Sequence, residues 1–343
     1  MSDDTEPELP SAPAPAAPPQ SAPAVSRPGA SIFTIEGRAA PGLFVVGWLA
    51  SILGLSLTLV GLLGGSRLLF FVVGPALLSV GLICGAGNQA LERRARGEAY
   101  AGPSPLLAFG ATIAVTYLVG ALIGLGLEAV AGSGSAAASP AGQLVAGLLT
   151  AAVFIGMIRL VVVGTGALTW AEMGVRRFDR QALNDLGLGV AVAFPVIVVT
   201  AIVAALLVAI FPVQPTSPLP PTGELSGLAV QLLAGALIAP IAEELFFRGF
   251  AISAWRRGIG ASRAIVRATL LFAIAHVVGI EGSTTAEALG LVAVGAGTRI
   301  PVAYALGLLY VRRDSLWAPI GLHAAFNATL LVLAHYAFVN GLA

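Results

Sequence analysis

Charge is what this sequence has least of. Only 10% of its 343 residues are Asp, Glu, Lys or Arg, against roughly a quarter in an ordinary soluble domain. Lysine is absent: all 18 basic residues are arginine, opposed by 17 acids for a net charge of +1. That balance gives no field strong enough to suggest nucleic acid as a partner. A single cysteine, Cys84, excludes an internal disulfide and any multi-cysteine metal site; in its apolar run it reads as a packing residue. Short segments of alternating hydrophobicity are missing, which excludes a transmembrane barrel. No basic, apolar leader opens the chain. Residues 1–30 are instead rich in Pro, Ala and Ser and read as a disordered cytoplasmic tail, with a boundary near residue 35.

What is there is apolar. The chain is 57% hydrophobic with a mean hydropathy of +0.92, more than a soluble core of this size conceals. A bilayer-crossing helix needs about 20 such residues. Stretches of that kind fall at 42–64, 68–87, 105–130, 141–166, 187–212, 225–251, 264–280, 286–311 and 315–338. The reading is an all-α, polytopic membrane bundle of about 8–9 transmembrane helices, with the lipid bilayer as its surroundings. Gly297, Arg299 and Pro301 leave open whether 286–311 is continuous or re-entrant. The arginines gather in four loops: Arg93, Arg94 and Arg96; Arg176, Arg177 and Arg180; Arg256, Arg257, Arg263 and Arg267; Arg312 and Arg313. By the positive-inside rule these loops and the N-terminus are cytoplasmic, and an odd span count puts the C-terminus outside. The segment Trp170–Gly187 is polar and roughly amphipathic and is expected along the cytoplasmic interface. It divides a four-helix region at 36–168 from a membrane core at 187–343, with 169–186 between them. Arginine-only, alanine-rich usage suggests a GC-rich bacterial genome, hence a bacterial plasma membrane.

Ionisable side chains inside spans are functional candidates by default. Three groups qualify. Glu243, Glu244 and Arg248 share one span, His276 sits on the next, and His323 with Asn327 on the last. Glu244 and Arg248 are i, i+4 with the acid first, the favourable order for an ion pair. Glu243 lies about 100° round the helix and is left as the free carboxylate and candidate proton acceptor. Pro240 removes a backbone hydrogen bond and is expected to kink the helix, opening room. Counting from the arginine loops, His276 and His323 lie about 14 Å deep and Glu243 about 20 Å, so all three occupy a similar level. The expectation is one water-sized hollow among three helices, open toward the cytosol. A carboxylate and an imidazole can deprotonate water, while an imidazole beside an amide can stabilise an oxyanion. Together they describe peptide-bond hydrolysis by activated water.

"EELFFR", "FAIAH" and "HAAFN" match E-E-x-x-x-R, F-x-x-x-H and H-x-x-x-N. In this order, on successive apolar spans, they resemble the CPBP family of CAAX-protease and bacteriocin-processing intramembrane endopeptidases over roughly residues 185–340. The resemblance implies a glutamate-dependent enzyme with an all-helical membrane core, acting on a membrane-associated protein or peptide. Glu243 and His276 would activate the water, His323 and Asn327 would form the oxyanion hole, and Glu244 and Arg248 would support the site. No cofactor is required. The competing metal version takes Glu243, His276 and His323 as zinc ligands, although the H-E-x-x-H pattern of zinc proteases is missing. Outside proteolysis, the same polar core would suit a non-catalytic immunity or scaffold protein, or a transporter. His335 reads as structural or interfacial, while Arg299 and Glu287 read equally as a substrate path or as packing. Oligomeric state and substrate identity have no signal in the sequence.

Overall fold

The computed structural model describes residues 42–126, 139–213 and 221–342 in full, and the backbone of 34–35, 38–39 and 127–131. Of the tail expected at 1–35, residues 1–33 lie outside the described residues; Thr34–Ile35 pairs antiparallel with Arg38–Ala39. The rest is helical: α1 Leu43–Leu63, α2 Leu69–Ala95, α3 Pro105–Ala131, α4 Pro140–Val163, α5 Arg180–Ile210, α6 Leu225–Ile259, α7 Ala261–Ala275, α8 Thr285–Arg313 and α9 Trp317–Val339. Eight of these are long and apolar enough to cross a membrane. Their outer faces expose large apolar side chains such as Leu63, Phe194 and Ile202, which suits hydrocarbon rather than water. This is an integral, multi-pass membrane protein.

The exception is α7. Its 15 residues reach about 22 Å, so the span read at 264–280 is only partly helix. Beyond Ala275 the chain continues irregularly, with Val277 and Ile280 packed on Gly295 of α8. Such backbone is tolerated at membrane depth where protein covers it. In contrast, α8 runs unbroken over 29 residues with Pro301 inside it, so 286–311 is one continuous helix. The stretch Trp170–Gly187 is divided. A 3₁₀ turn at Ala171–Met173 is followed by the first turns of α5, where the Asp179 carboxylate accepts from the Ala182 N–H at 2.9 Å and caps the helix.

The arginine loops meet at one end of the bundle. Arg256 and Arg176 both pair with Asp314, Arg313 with Asp185, and Arg257 with Glu172. At the opposite end, Gly290 near the start of α8 faces Phe211 and Val213 just past α5. Helices α5, α7 and α9 therefore run away from the arginine end, and α6 and α8 run toward it. α5 and α9 are in backbone contact: a Cβ at Gly189 would overlap the Ala318 carbonyl, and one at Gly321 the Leu186 carbonyl. On the other flank, Phe246 of α6 packs edge-on against Phe109 of α3 at 5.8 Å and Phe154 of α4 at 5.4 Å. The early helices thus form the wall behind α6.

Gly189→Ala is expected to cost about 1–3 kcal/mol through overpacking against rigid backbone. Gly187→Ala, two residues earlier with no atom nearby, should be neutral or stabilising by up to about 1 kcal/mol. Denaturant midpoints of the two variants in lipid micelles check this; equal midpoints would contradict the close crossing.

Candidate active site

Helix α6 changes its winding around the paired glutamates. Two π-helical stretches, Leu232–Ile238 and Leu245–Ile252, bracket an α-helical Ala239–Glu244. In the first stretch the Ala239 N–H bonds five residues back, to Ala234 O. The next bond in that register would join residue 240 to Gly235 O, but residue 240 is proline and has no N–H. The Gly235 carbonyl is taken instead by Asn327 of α9, whose Nδ2 donates to it at 2.8 Å. The proline's consequence is therefore a freed carbonyl that anchors the amide of a neighbouring helix.

Glu244 is fully buried. Its Oε1 accepts from Arg248 Nη1 at 2.8 Å and from His323 Nδ1 at 2.7 Å. Arg248, 1% exposed, also donates through Nη2 to Ala303 O of α8 at 3.2 Å, and its guanidinium lies 4.6 Å from the centre of the Phe272 ring of α7. One ion pair thus ties α6 to α7, α8 and α9. With Nδ1 of His323 committed to a carboxylate, its Nε2 carries a proton only when the ring is an imidazolium.

His276 stands just past the last residue of α7, at its C-cap. A helix end leaves carbonyls without intrahelical partners. The His276 N–H turns to Ala273 O, and its ring Nδ1 lies 2.8 Å from Phe272 O. A carbonyl only accepts, so Nδ1 bears the proton and the neutral ring presents a bare Nε2.

Both free imidazole nitrogens face the same carboxylate oxygen. Glu243 Oε2 is 3.7 Å from His276 Nε2 and 3.8 Å from His323 Nε2, and it accepts no hydrogen bond among the described residues. These separations exceed a direct hydrogen bond and suit a small polar molecule held among the three groups. The three groups brought together are those that the zinc reading names as ligands, although among the described residues no set of three His, Cys, Asp or Glu has the spacing to hold a metal ion.

Glu243, His276, His323 and Asn327 line one cavity of about 470 Å³. It extends from their level along Ala239 and Gly235 of α6 and along Leu331 and Ala334 of α9. Given the helix directions, it runs away from the arginine end. The lining thus extends away from the end toward which an opening was expected.

The family comparison bears on this same stretch. Residues 225–329 match the family model for type II CAAX prenyl endopeptidase Rce1-like proteins. This segment is Rce1-like. It spans just under a third of the chain, from the start of α6 into α9, and includes all six site residues. No curated protein and no solved structure matches the chain. Outside the family's motifs, the Rce1-like segment also supplies Thr298, Arg299 and Val302 to the cavity wall, and α5 adds Thr200. Of these only Arg299 stands out in the sequence, as an ionisable residue inside a span. Glu287 belongs elsewhere: it accepts from the Ser283 N–H at 2.7 Å and closes the first turn of α8. His335 does not line the cavity.

Removing Arg248 would strand Glu244 in hydrocarbon. Arg248→Leu is expected to lose about 3–5 kcal/mol of stability, the usual cost of breaking a buried pair. Glu243→Gln, whose Oε2 accepts no direct hydrogen bond among the described residues, should lose less than about 1 kcal/mol. Equilibrium unfolding in mixed micelles measures both, and similar losses would contradict the division of labour between the two acids.

Proposed function

We propose that the protein is an intramembrane endopeptidase that cleaves a membrane-associated protein or peptide with an activated water. The observation carrying this reading is the approach of both imidazole Nε2 atoms to within 3.7 and 3.8 Å of one oxygen of Glu243. That oxygen is the base. Water held against it also donates to the bare Nε2 of His276, which orients the oxygen lone pair toward a carbonyl carbon. As the water oxygen bonds to carbon, one proton passes to Glu243 and the carbonyl oxygen takes the negative charge. His323 as an imidazolium, held by Glu244, donates Nε2–H to that oxyanion. Asn327 adds its second amide hydrogen, the first being fixed on Gly235 O. Collapse breaks the C–N bond while Glu243 returns its proton to the departing nitrogen. The products are an amine and a carboxylic acid, which gives up the remaining water proton to the amine or to solvent as it becomes a carboxylate, with no covalent enzyme intermediate.

The membrane setting adds sidedness. With the arginine loops placed in the cytoplasm, the N-terminus is cytoplasmic. The site then lies on the cytoplasmic side of the bilayer centre, and its cavity extends toward the opposite leaflet. A bacterial plasma membrane is the setting that the composition suggests. The apolar wall suits a substrate delivered within the bilayer.

Glu243→Gln preserves size and removes the base. Cleavage in reconstituted membranes, read as new protein termini by quantitative proteomics, should fall by about 10²–10⁴-fold with the unfolding midpoint retained. Exhaustive chelation should leave the wild type active. Full activity in the Gln variant would favour a binding role. Activity lost on chelation and restored by zinc would replace the water-only mechanism with a metal one.

A further inference from the structure

A second cavity, of about 340 Å³, lies at the arginine end and shares no lining residue with the one beside Glu243. Arg176, Arg177 and Arg313 line it together with Asp179, Asp185 and Trp317. Both aspartates are committed within the protein. Asp179 accepts from the Ala182 N–H at the start of α5. Asp185, 1% exposed, accepts from Nε of Arg313 at 2.7 Å and pairs with its Nη2 at 2.6 Å. That fork fixes the Arg313 guanidinium in the wall and uses only two of its five donors. Arg176 pairs with Asp314, whereas Arg177 makes no hydrogen bond or ion pair among the described residues. Three arginines against two aspartates leave the lining one positive charge in excess. Counting Asp314 together with Arg256, which it also pairs, does not change that excess.

The wall is preformed. The Leu316 N–H donates to Gly174 O at 3.0 Å, and Trp317 Nε1 donates to Arg176 O at 3.2 Å, so the loop carrying Arg176 and Arg177 is pinned to the turn between α8 and α9. Its level is set by α5. That helix has 31 residues, about 46 Å, against a hydrocarbon core of about 30 Å, so its first turns stand among lipid headgroups. Phe178, 62% exposed, packs edge-on against Trp317 at 5.2 Å, an aromatic pair suited to that level. Further along α5, Leu183, Val190 and Phe194 are all exposed at spacings of seven and four, which places them on one face. A dissolved anion would make no use of this apolar track; a lipid would.

We propose that this cavity is a headgroup site for an anionic phospholipid of the leaflet at the arginine end. Arg177 and the free edge of Arg313 hold the phosphodiester, and the acyl chains lie along the exposed face of α5. The single charge of a phosphodiester matches the single excess charge of the lining, a match that a zwitterionic headgroup forfeits by bringing its own ammonium. The site joins α5, α8 and α9, so an occupied site braces the turn from which α9 carries His323 into the bundle. The inference is independent of the proteolytic reading.

The test offers full-length protein in detergent an equimolar mixture of phosphatidylglycerol and phosphatidylcholine with identical chains, and counts retained lipids by native mass spectrometry. Phosphatidylglycerol should be retained about fivefold better. Arg177→Gln should erase the preference and Arg177→Lys should keep part of it. Arg312→Gln, at an exposed arginine outside the lining, should leave it intact. Unfolding midpoints confirm that each variant is folded. Millimolar inorganic phosphate should not displace the lipid. Equal retention of the two lipids, or a preference that survives Arg177→Gln, overturns the site. A preference lost equally in Arg312→Gln would reduce it to diffuse surface attraction, and displacement by inorganic phosphate would replace the lipid with a free anion; either result overturns the proposal.

Discussion

The Glu244 carboxylate, shared between Arg248 and the Nδ1 of His323 in the interior of a membrane helix bundle, is the contact on which the site depends. Neither charge of the ion pair is tolerable there alone. Arg248 extends the tie to the Ala303 carbonyl and the Phe272 ring, so four helices are registered by one guanidinium and one carboxylate. Because Glu244 absorbs the arginine, Glu243 keeps no ion-pair partner of its own on α6 and faces the cavity, which is the condition for a carboxylate to act as a base.

Around that fixed point, each remaining polar group is positioned by an interruption of regular helix. The π-helical turn and Pro240 free a carbonyl, and Asn327 is anchored on it. The early end of α7 leaves the Phe272 carbonyl for His276 and so selects its tautomer. The close crossing of α5 and α9 at Gly189 and Gly321 sets the depth of the helix that carries His323. Phe109 and Phe154 back the aromatic run of α6, giving the early helices a mechanical role outside the matched family segment. Irregularities like these carry a stability cost and concentrate where function requires a particular direction of a side chain.

Much of this was legible in the residues. The i, i+4 spacing of Glu244 and Arg248 anticipated their pairing, and the level of the three polar groups followed from counting along helices. The all-helical membrane bundle followed from hydropathy alone. What remained hidden depends on tertiary geometry. The end of α7 at Ala275 was masked by an apolar run continuing through Val277 and Val278. The π register that frees Gly235 has no sequence mark beyond a proline that would kink an ordinary helix too. The direction in which the cavity extends, along Gly235 of α6 and Ala334 of α9, follows from how the helices pack, and depth counting contains no such information. Arg299 looked equally like packing until the cavity placed it beside the candidate site.

The most direct measurement is ¹⁵N NMR of selectively labelled histidine in the full-length protein in bilayers, with signals assigned by replacing each of the three histidines. Pairing of His323 with Glu244 predicts a proton on Nδ1 of His323 throughout the neutral range, with a coupling typical of a strong hydrogen bond. A neutral His323 protonated on Nε2 with Nδ1 bare would show that Glu244 does not hold it, and would contradict the account of how the two adjacent glutamates are divided.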